Sequence, residues 1–310
     1  MKQIRALQLM QYGGPDAVGI ALIEAPVAAA GQVLVRVHAA GVNGLDWKIR
    51  EGYVKDAFAL ALPTVLGIEL AGVVEQVGPG VTRWSKGDRV MGALGGLGAY
   101  AELVAVDADN LAAVPAAMSL DQAAALPVAA VAAWQSLNFA GPLRAGQRVL
   151  IHGAAGGLGG FAVQFARQAG ATVFTTALAR DADYVLGLGA DHAVDYQTGR
   201  FETAVKDIDL VLDYVGGEVL ARSWQVLAAD GAIVSTASPA ILGSTPAGRR
   251  GLWFMNKPDA ERLQEIAEDV AQARLQSCIA GVVPFDALPE AIERNRTQPQ
   301  RGKTVVALPR

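Results

Sequence analysis

The sequence predicts an α/β protein of two domains, one a small β-barrel or β-sandwich and the other a doubly wound parallel sheet. Its 310 residues suit two domains of ~150 residues each. Short strand patterns separated by glycine and proline turns fill the first third of the chain, whereas strand and helix patterns alternate after Pro142. We place residues 1–118 and 274–310 in the first domain and residues 119–273 in the second.

The first domain is predicted from short runs of alternating residues. Valines and alanines occupy every second position from Val33 to Ala39, the pattern of a half-buried strand. Similar runs follow at Ala71–Val77 and Tyr100–Val106, and turns such as Gly78-Pro79-Gly80 separate them. Several short strands without long helices between them favour a barrel or sandwich.

The second domain is predicted from alternating strand and helix patterns. Ser119 and Gln122 form a capping box that starts a helix. The strand patterns are Arg148–His152, Thr172–Thr176, Ala193–Tyr196, Leu210–Asp213, Ala232–Thr236 and Gly251–Met255, and the helix patterns are Leu158–Gln168, Asp181–Leu188, Glu218–Leu227 and Leu263–Ala273. This order indicates a parallel, doubly wound sheet. A last strand, Lys303–Leu308, returns to the first domain.

Composition excludes several classes of protein. Hydrophobic residues make up 52% of the chain, which excludes disorder, and the net charge of −4 argues against a nucleic-acid partner. The longest uncharged stretch, Gln122–Leu143, is alanine-rich and broken by prolines, so we expect no membrane span. The N-terminus lacks a signal-peptide pattern, and a single cysteine excludes an internal disulfide. We therefore expect a cytoplasmic protein.

The strongest chemical signal is VLIHGAAGGLGG, residues Val149–Gly160. Three glycines spaced three apart follow an apolar strand and precede a helix, so a pyrophosphate can approach the backbone and the positive helix end. The candidate contacts are Gly153, Gly156, Gly157, Leu158 and Gly159. A tight turn without a ligand is the alternative, but the strand–turn–helix context favours a dinucleotide.

The residues after the second strand favour NADPH. A site for NAD usually has an acidic residue about 20 positions after the glycines, but none occurs from Gly153 to Arg180. Thr176, Ala177 and Arg180 instead suit a 2′-phosphate, although Arg180 also fits a solvated helix start. Tyr196 either borders the adenine or packs in the core.

Further candidate contacts follow the fourth and fifth strands, where an open α/β sheet meets its ligand. They are Val215, Thr236 and Ala237.

Several motifs together resemble zinc-free medium-chain dehydrogenases/reductases of the quinone oxidoreductase, or zeta-crystallin-like, kind. They are AAGVNGLDWKIREG, PTVLGIELAGVVEQVGPGV, KGDRVMG, GAYAE, AAALPVAAVAAWQSL, HGAAGGLG, LGADHAVDY, LDYVGGE and the terminal RGK. The resemblance implies a GroES-like barrel domain, a Rossmann NADP-binding domain and an active-site cleft between them. It also implies a homodimer, joined near Gly251–Met255, and a cofactor contact from Lys303 of the RGK motif.

The resemblance also bears on metal binding. Zinc alcohol dehydrogenases have a ligand cysteine where this chain has Asn43, and Gly-His-Glu where it has Gly67-Ile68-Glu69. Two ligands are thereby replaced, so we expect no catalytic zinc. A threonine that relatives often place near the nicotinamide is Ala132 here, which puts contacts from that helix in doubt.

Three polar residues of the first domain are catalytic candidates. Asn43 has an amide and Tyr53 a phenol that can donate to a substrate oxygen. Asp46 is the third, although a carboxylate there more often holds its own loop.

Without a metal, hydride addition suits a quinone or an α,β-unsaturated carbonyl, because the charge spreads onto an enolate or hydroquinone oxygen. The expected activity is NADPH-dependent reduction of such a small molecule. The alternatives are a carbonyl or enoyl-thioester reductase, and an NADPH-binding structural or regulatory protein with little turnover.

Overall fold

The computed structural model describes residues 2–56 and 59–309. The strands, in chain order, are β1 (Gln3–Leu9), β2 (Val18–Glu24), β3 (Gln32–Gly41), β4 (Thr64–Val65), β5 (Glu69–Val77), β6 (Arg89–Ala93), β7 (Leu103–Asp107), β8 (Leu111–Ala113), β9 (Arg148–His152), β10 (Thr172–Ala177), β11 (His192–Asp195), β12 (Ile208–Asp213), β13 (Leu227–Ser235), β14 (Arg250–Trp253), β15 (Ile279–Pro284) and β16 (Lys303–Ala307). The α-helices are α1 (Gly44–Arg50), α2 (Leu120–Ala124), α3 (Ala129–Phe139), α4 (Gly157–Gln168), α5 (Ala182–Gly187), α6 (Phe201–Ala204), α7 (Gly217–Ser223), α8 (Ile241–Ser244), α9 (Ala260–Ala271) and α10 (Leu288–Thr297).

The chain divides into two compact units. The barrel unit runs to Val128 and resumes at Pro258, and the nucleotide unit is Ala129–Lys257. The nucleotide unit begins about ten residues later and ends about fifteen residues earlier than the second domain drawn from the sequence. The reason is that α2 packs on β3 and β5 and α9 packs on β8, so both helices belong to the barrel unit. The pattern of an amphipathic helix shows that one face is buried, but not which sheet covers it.

The barrel unit is mostly antiparallel. Its larger sheet has the strand order β15-β16-β3-β5-β6-β8, with β7 also paired to β3, and a smaller sheet has the order β2-β1-β4. Alternating valines of β3 are buried in the core, as the period of two predicts. Because β3 is antiparallel to both β16 and β5, the start of β16, the end of β3 and the start of β5 lie side by side at one end of the sheet.

The nucleotide unit contains a parallel sheet whose order, among the described residues, is β11-β10-β9-β12-β13-β14. Its central strand β9 is covered on both faces, and Val149, Leu150 and Ile151 have no exposed surface. The chain reverses its direction of winding between β9 and β12, which creates the switch point where such sheets bind ligands. The predicted α/β class, with a barrel domain and a doubly wound domain, is confirmed.

Two further expectations concern the surface. No helix in the described part of the chain is long and apolar enough to cross a membrane. The strand predicted to join two subunits is β14, an edge strand of the parallel sheet that pairs with β13. The homodimer itself stays a prediction.

Candidate active site

In the turn between β9 and α4, glycines lie directly against backbone atoms of the same turn. Gly153 has φ +75°, and a Cβ atom at Gly159 would lie 2.2 Å from the oxygen of Gly153 and 2.5 Å from Cα of Ala154. Gly156 is the N-cap residue, and Gly157 and Leu158 begin a twelve-residue helix without an acidic residue in its first turn. The helix dipole and the unpaired N–H groups of that turn favour an anion such as a pyrophosphate.

The predicted contacts after the fourth and fifth strands lie at the same edge of the sheet. A Cβ atom on Gly153 would come within 3.4 Å of Cγ2 of Val215, so Val215 lies beside the glycine turn. The N–H of Thr236 donates to the carbonyl of Asp213 at 3.0 Å, which fixes Thr236 and the following Ala237 next to the end of β12. The nucleotide unit therefore gathers these residues around its switch point.

Asp213, which the sequence analysis did not single out, shapes this edge. Its Oδ1 accepts from the N–H groups of Gly216 (2.7 Å) and Val215 (3.1 Å), and its Oδ2 accepts from the hydroxyl of Ser235 (2.6 Å). The buried carboxylate thus fixes the turn after β12 and ties it to β13. Its place at the end of an apolar strand, before two glycines, was the signal available in the sequence.

His152 ends β9 and is buried. Its Nε2 lies 3.0 Å from the hydroxyl of Ser223, which donates its hydrogen to the carbonyl of Val219, so Nε2 carries the proton. Nδ1 then accepts from the hydroxyl of Thr176 at 2.9 Å. Burial lowers the pKa of His152 to about 4, so the ring is neutral at neutral pH. The hydroxyl of Thr176, a predicted cofactor contact, points toward this ring.

Arg180 and Tyr196 lie close together after β10 and β11. Arg180 lies in a short 3-10 turn, Ala179–Asp181, that begins two residues after β10 ends at Ala177. Its side chain is 68% exposed. The N–H of Tyr196 donates to the carbonyl of Ala177 at 3.2 Å. Burial raises the pKa of the Tyr196 phenol, and the charge of Arg180 opposes that rise. A cation and a phenol thus border the strand end where the sequence predicted a 2′-phosphate.

The barrel unit holds a buried polar group of five side chains, which we call the barrel cluster. Its members are Asn43, Asp46, Glu69, Tyr100 and Lys303, and each is at least 94% buried. The ammonium of Lys303 pairs with Oε1 of Glu69 at 2.5 Å and donates to the amide oxygen of Asn43. Lys303, predicted as a cofactor contact, therefore has two partners within the barrel unit. Its role toward the cofactor stays a prediction.

Asp46 lies in the first turn of α1, where it caps its own helix. Its Oδ2 accepts from the N–H of Asn43 at 2.7 Å and from the hydroxyl of Tyr100 at 2.6 Å, and its Oδ1 has no hydrogen-bond partner among the described residues. Burial raises the pKa of Asp46 to about 6, although both hydrogen bonds and the charge of Lys303 oppose the rise. Tyr100 was in a predicted strand, and nothing in its local sequence indicated this contact.

The other two catalytic candidates differ in exposure. The amide of Asn43 donates to the carbonyl of Gly41 (3.1 Å) and to Glu69 (2.9 Å), so both of its N–H groups are used within the barrel unit. Tyr53 is 73% exposed in the turn after α1, and its ring packs edge-on against Trp47 with the centroids 5.8 Å apart. Of the two, Tyr53 is the side chain that presents a donor to solvent.

Two family models match the chain. One, described as an alcohol dehydrogenase GroES-like domain, matches residues 29–116, and the other, described as a zinc-binding dehydrogenase, matches residues 188–306. The barrel cluster does not fit zinc, because the ammonium of Lys303 already lies against the oxygens of Asn43 and Glu69. Within residues 2–56 and 59–309, no three histidine, cysteine or acidic side chains converge as metal ligands.

Relatives cover nearly the whole chain. A 2-haloacrylate reductase from Burkholderia sp is 35% identical over 82% of this chain and 81% of its own. The solved quinone oxidoreductase of Coxiella burnetii is 32% identical with a TM-score of 0.95, covering 99% of this chain and 100% of its own. The Escherichia coli quinone oxidoreductase, solved with NADPH, is 26% identical with a TM-score of 0.86, covering 98% and 99%.

Other curated relatives are named as mitochondrial or chloroplastic, so the cytoplasmic location stays a prediction. The matches span both units and include relatives above 30% identity, of which this chain covers 81% and 100%. The chain therefore belongs to the quinone oxidoreductase family of medium-chain dehydrogenases/reductases, a family of oxidoreductases.

Proposed function

We propose that this protein reduces a quinone or an α,β-unsaturated carbonyl with NADPH, by hydride transfer and without a metal. The observation that carries the proposal is the glycine turn at the switch point of the parallel sheet. A Cβ atom at Gly159 would collide with the backbone of that turn, so the sequence keeps the turn tight enough for a pyrophosphate to rest on it.

The residues of the nucleotide unit fit a dinucleotide. Gly153 to Gly159 and the first turn of α4 would hold the pyrophosphate, and Arg180 with Tyr196 would hold the phosphorylated ribose. When bound, the reduced nicotinamide supplies a hydride. The E. coli relative was solved with NADPH, which supports this choice of cofactor.

The substrate class follows from the donors that the barrel unit offers. A simple ketone needs a strong electrophile such as zinc, which the barrel cluster does not fit because the ammonium of Lys303 already pairs with Glu69. A conjugated carbonyl needs less, because its developing charge lies on an enolate or hydroquinone oxygen that a neutral donor can stabilise. The exposed phenol of Tyr53 is such a donor. Relatives named as quinone oxidoreductases and as a 2-haloacrylate reductase support this class.

A substrate panel tests the proposal. Chelator-treated protein should oxidise NADPH rapidly with quinones or enones and slowly with a saturated ketone or an enoyl thioester. Elemental analysis of the same sample should show less than stoichiometric metal. NADPH binding without turnover on any member would instead indicate a binding protein. Turnover that disappears on chelation and returns with zinc would contradict the metal-free mechanism.

Arg180 should select NADPH over NADH. Charge-assisted hydrogen bonds contribute about 1.5–3 kcal/mol, so Arg180→Ala should weaken NADPH binding by roughly 10- to 100-fold. NADH binding should hardly change, because NADH lacks the 2′-phosphate. Fluorescence titration of both cofactors measures the two constants.

Arg167→Ala is a matched control for this prediction. Arg167 is also largely exposed, but it lies in the last turn of α4, at the opposite end of the strands from Arg180. There it pairs with Asp191. Equal losses of NADPH and NADH affinity in Arg180→Ala would show that Arg180 supports the fold and does not bind the phosphate.

A further inference from the structure

The barrel cluster has an unequal charge balance. Its acidic groups are the carboxyls of Asp46 and Glu69, and both are fully buried. Its single cationic group is the ammonium of Lys303, which is 95% buried. A buried carboxylate is costly unless a partner compensates it. Removing the ammonium would therefore leave the interior of the barrel unit with uncompensated negative charge.

We propose that the ammonium of Lys303 is the cation built into the barrel cluster: it pairs with the carboxyl group of Glu69 and holds the amide of Asn43 in one orientation. Lys303 is thus a positioning residue that does not itself contact the cofactor. Asn43 is the N-cap of α1, so the ammonium fixes the start of the helix that precedes the turn with Tyr53. The part of this inference that concerns turnover rests on the function proposed above, whereas the part that concerns the cluster does not.

Hydrogen bonds define the orientation of the Asn43 amide. Its oxygen accepts from Lys303, and its NH₂ group donates to Oε1 of Glu69 and to the carbonyl of Gly41. Turning the amide over would place its NH₂ group against the ammonium and its oxygen against two other oxygens. The second carboxylate oxygen of Glu69 accepts from the N–H of Val128 at 2.7 Å. All of these contacts are therefore consistent with one orientation of the Asn43 amide.

The surrounding strands pack closely around the ion pair. Lys303 starts β16, Gly41 ends β3 and Glu69 starts β5, so three neighbouring strands hold the cluster at one end of the sheet. A Cβ atom on Gly41 would lie 2.3 Å from Oε1 of Glu69 and 2.8 Å from Cε of Lys303. The glycine therefore makes room for the ion pair. The ammonium already lies against the oxygens of Asn43 and Glu69, which a zinc ion at this place would need as ligands. For this reason the cluster does not fit zinc.

Rescue by a small cation tests the proposal. Lys303→Ala should lower the Tm of the chelator-treated, cofactor-free protein by roughly 10 °C, the scale expected when one partner of a buried ion pair is lost. Millimolar ethylammonium chloride should restore part of that Tm, whereas ethanol and sodium chloride at equal concentration should not. Lys86→Ala removes an exposed lysine of the same unit and should change neither the Tm nor the response to ethylammonium.

A second variant keeps the test decisive if Lys303→Ala folds poorly. Glu69→Gln combined with Lys303→Ala removes both charges of the pair, so the double variant should be more stable than Lys303→Ala and should not respond to ethylammonium. A double variant no more stable than the single one would overturn the proposal, since the carboxylate would then not need the ammonium.

Kinetics separate positioning from cofactor binding. In Lys303→Ala, kcat should fall by about tenfold or more, the NADPH Kd should change by less than about twofold, and ethylammonium should raise kcat. A large rise in NADPH Kd with unchanged kcat would mean that the ammonium contacts the cofactor, and would overturn the proposed role. The Tm results stand even if the protein proves to have another substrate.

Discussion

Replacing Gly159 by alanine should weaken NADPH binding by roughly 100-fold. The added Cβ atom would lie 2.2 Å from the oxygen of Gly153 and 2.5 Å from Cα of Ala154. Both are backbone atoms, which cannot rotate away as a side chain can, so α4 must shift away from the turn. Overpacking of this kind costs about 1–3 kcal/mol, and the shift also displaces the helix N–H groups that face the pyrophosphate.

The variant should also lose stability, because α4 packs on β9 and β10 and its residues Phe161, Ala162 and Val163 are fully buried. Titration with NADPH and unfolding in urea measure the two effects separately.

Gly187→Ala is the matched control. Gly187 ends α5 in the same unit, its φ is not in the left-handed region, and a Cβ atom there would meet no atom within 4 Å. This variant should bind NADPH as the wild type does and unfold at the same or a slightly higher urea concentration. Wild-type affinity in Gly159→Ala would mean that the turn does not hold the pyrophosphate.

The glycine turn was predictable from the sequence because all of its determinants are local. An apolar strand, three glycines and a helix follow one another within Val149–Gly160, and the physical reason for each glycine is a short contact within that segment. The doubly wound sheet was predictable for the same reason, since alternating strand and helix patterns restrict the connections to a few topologies. A contact of Arg180 with the ribose phosphate stays a prediction.

The barrel cluster was not predictable, because its contacts join distant parts of the chain. Asn43 and Lys303 are 260 positions apart, and Asp46 and Tyr100 are 54 positions apart. A pattern of two or 3.6 residues shows which face of an element is buried, but not which polar side chains meet there. The sequence therefore suggested that Asn43 donates to substrate, whereas in the structure its N–H groups bond to Glu69 and Gly41.

This difference makes Tyr53 the central candidate for donating to the substrate oxygen. The phenol of Tyr53 is exposed, its ring contacts Trp47, and its N–H donates to the carbonyl of Lys48 at 2.9 Å. The ring contact and the backbone hydrogen bond thus hold a residue whose side chain is largely exposed. Tyr53→Phe keeps both contacts and removes only the hydroxyl, so the unfolding transition should not move.

Turnover is where the Tyr53→Phe variant should differ from the wild type. Losing one donor to an oxyanion lowers the rate by roughly 10²–10³-fold, so single-turnover oxidation of NADPH with a quinone or enone should slow by that factor. The NADPH Kd should stay constant, because the cofactor contacts proposed here lie in the other unit. Tyr12→Phe, which removes a hydroxyl from a ring packed beside Gly52 in the same unit, should retain wild-type rates. A wild-type single-turnover rate in Tyr53→Phe would remove this phenol from the mechanism and leave protonation of the enolate or hydroquinone to water.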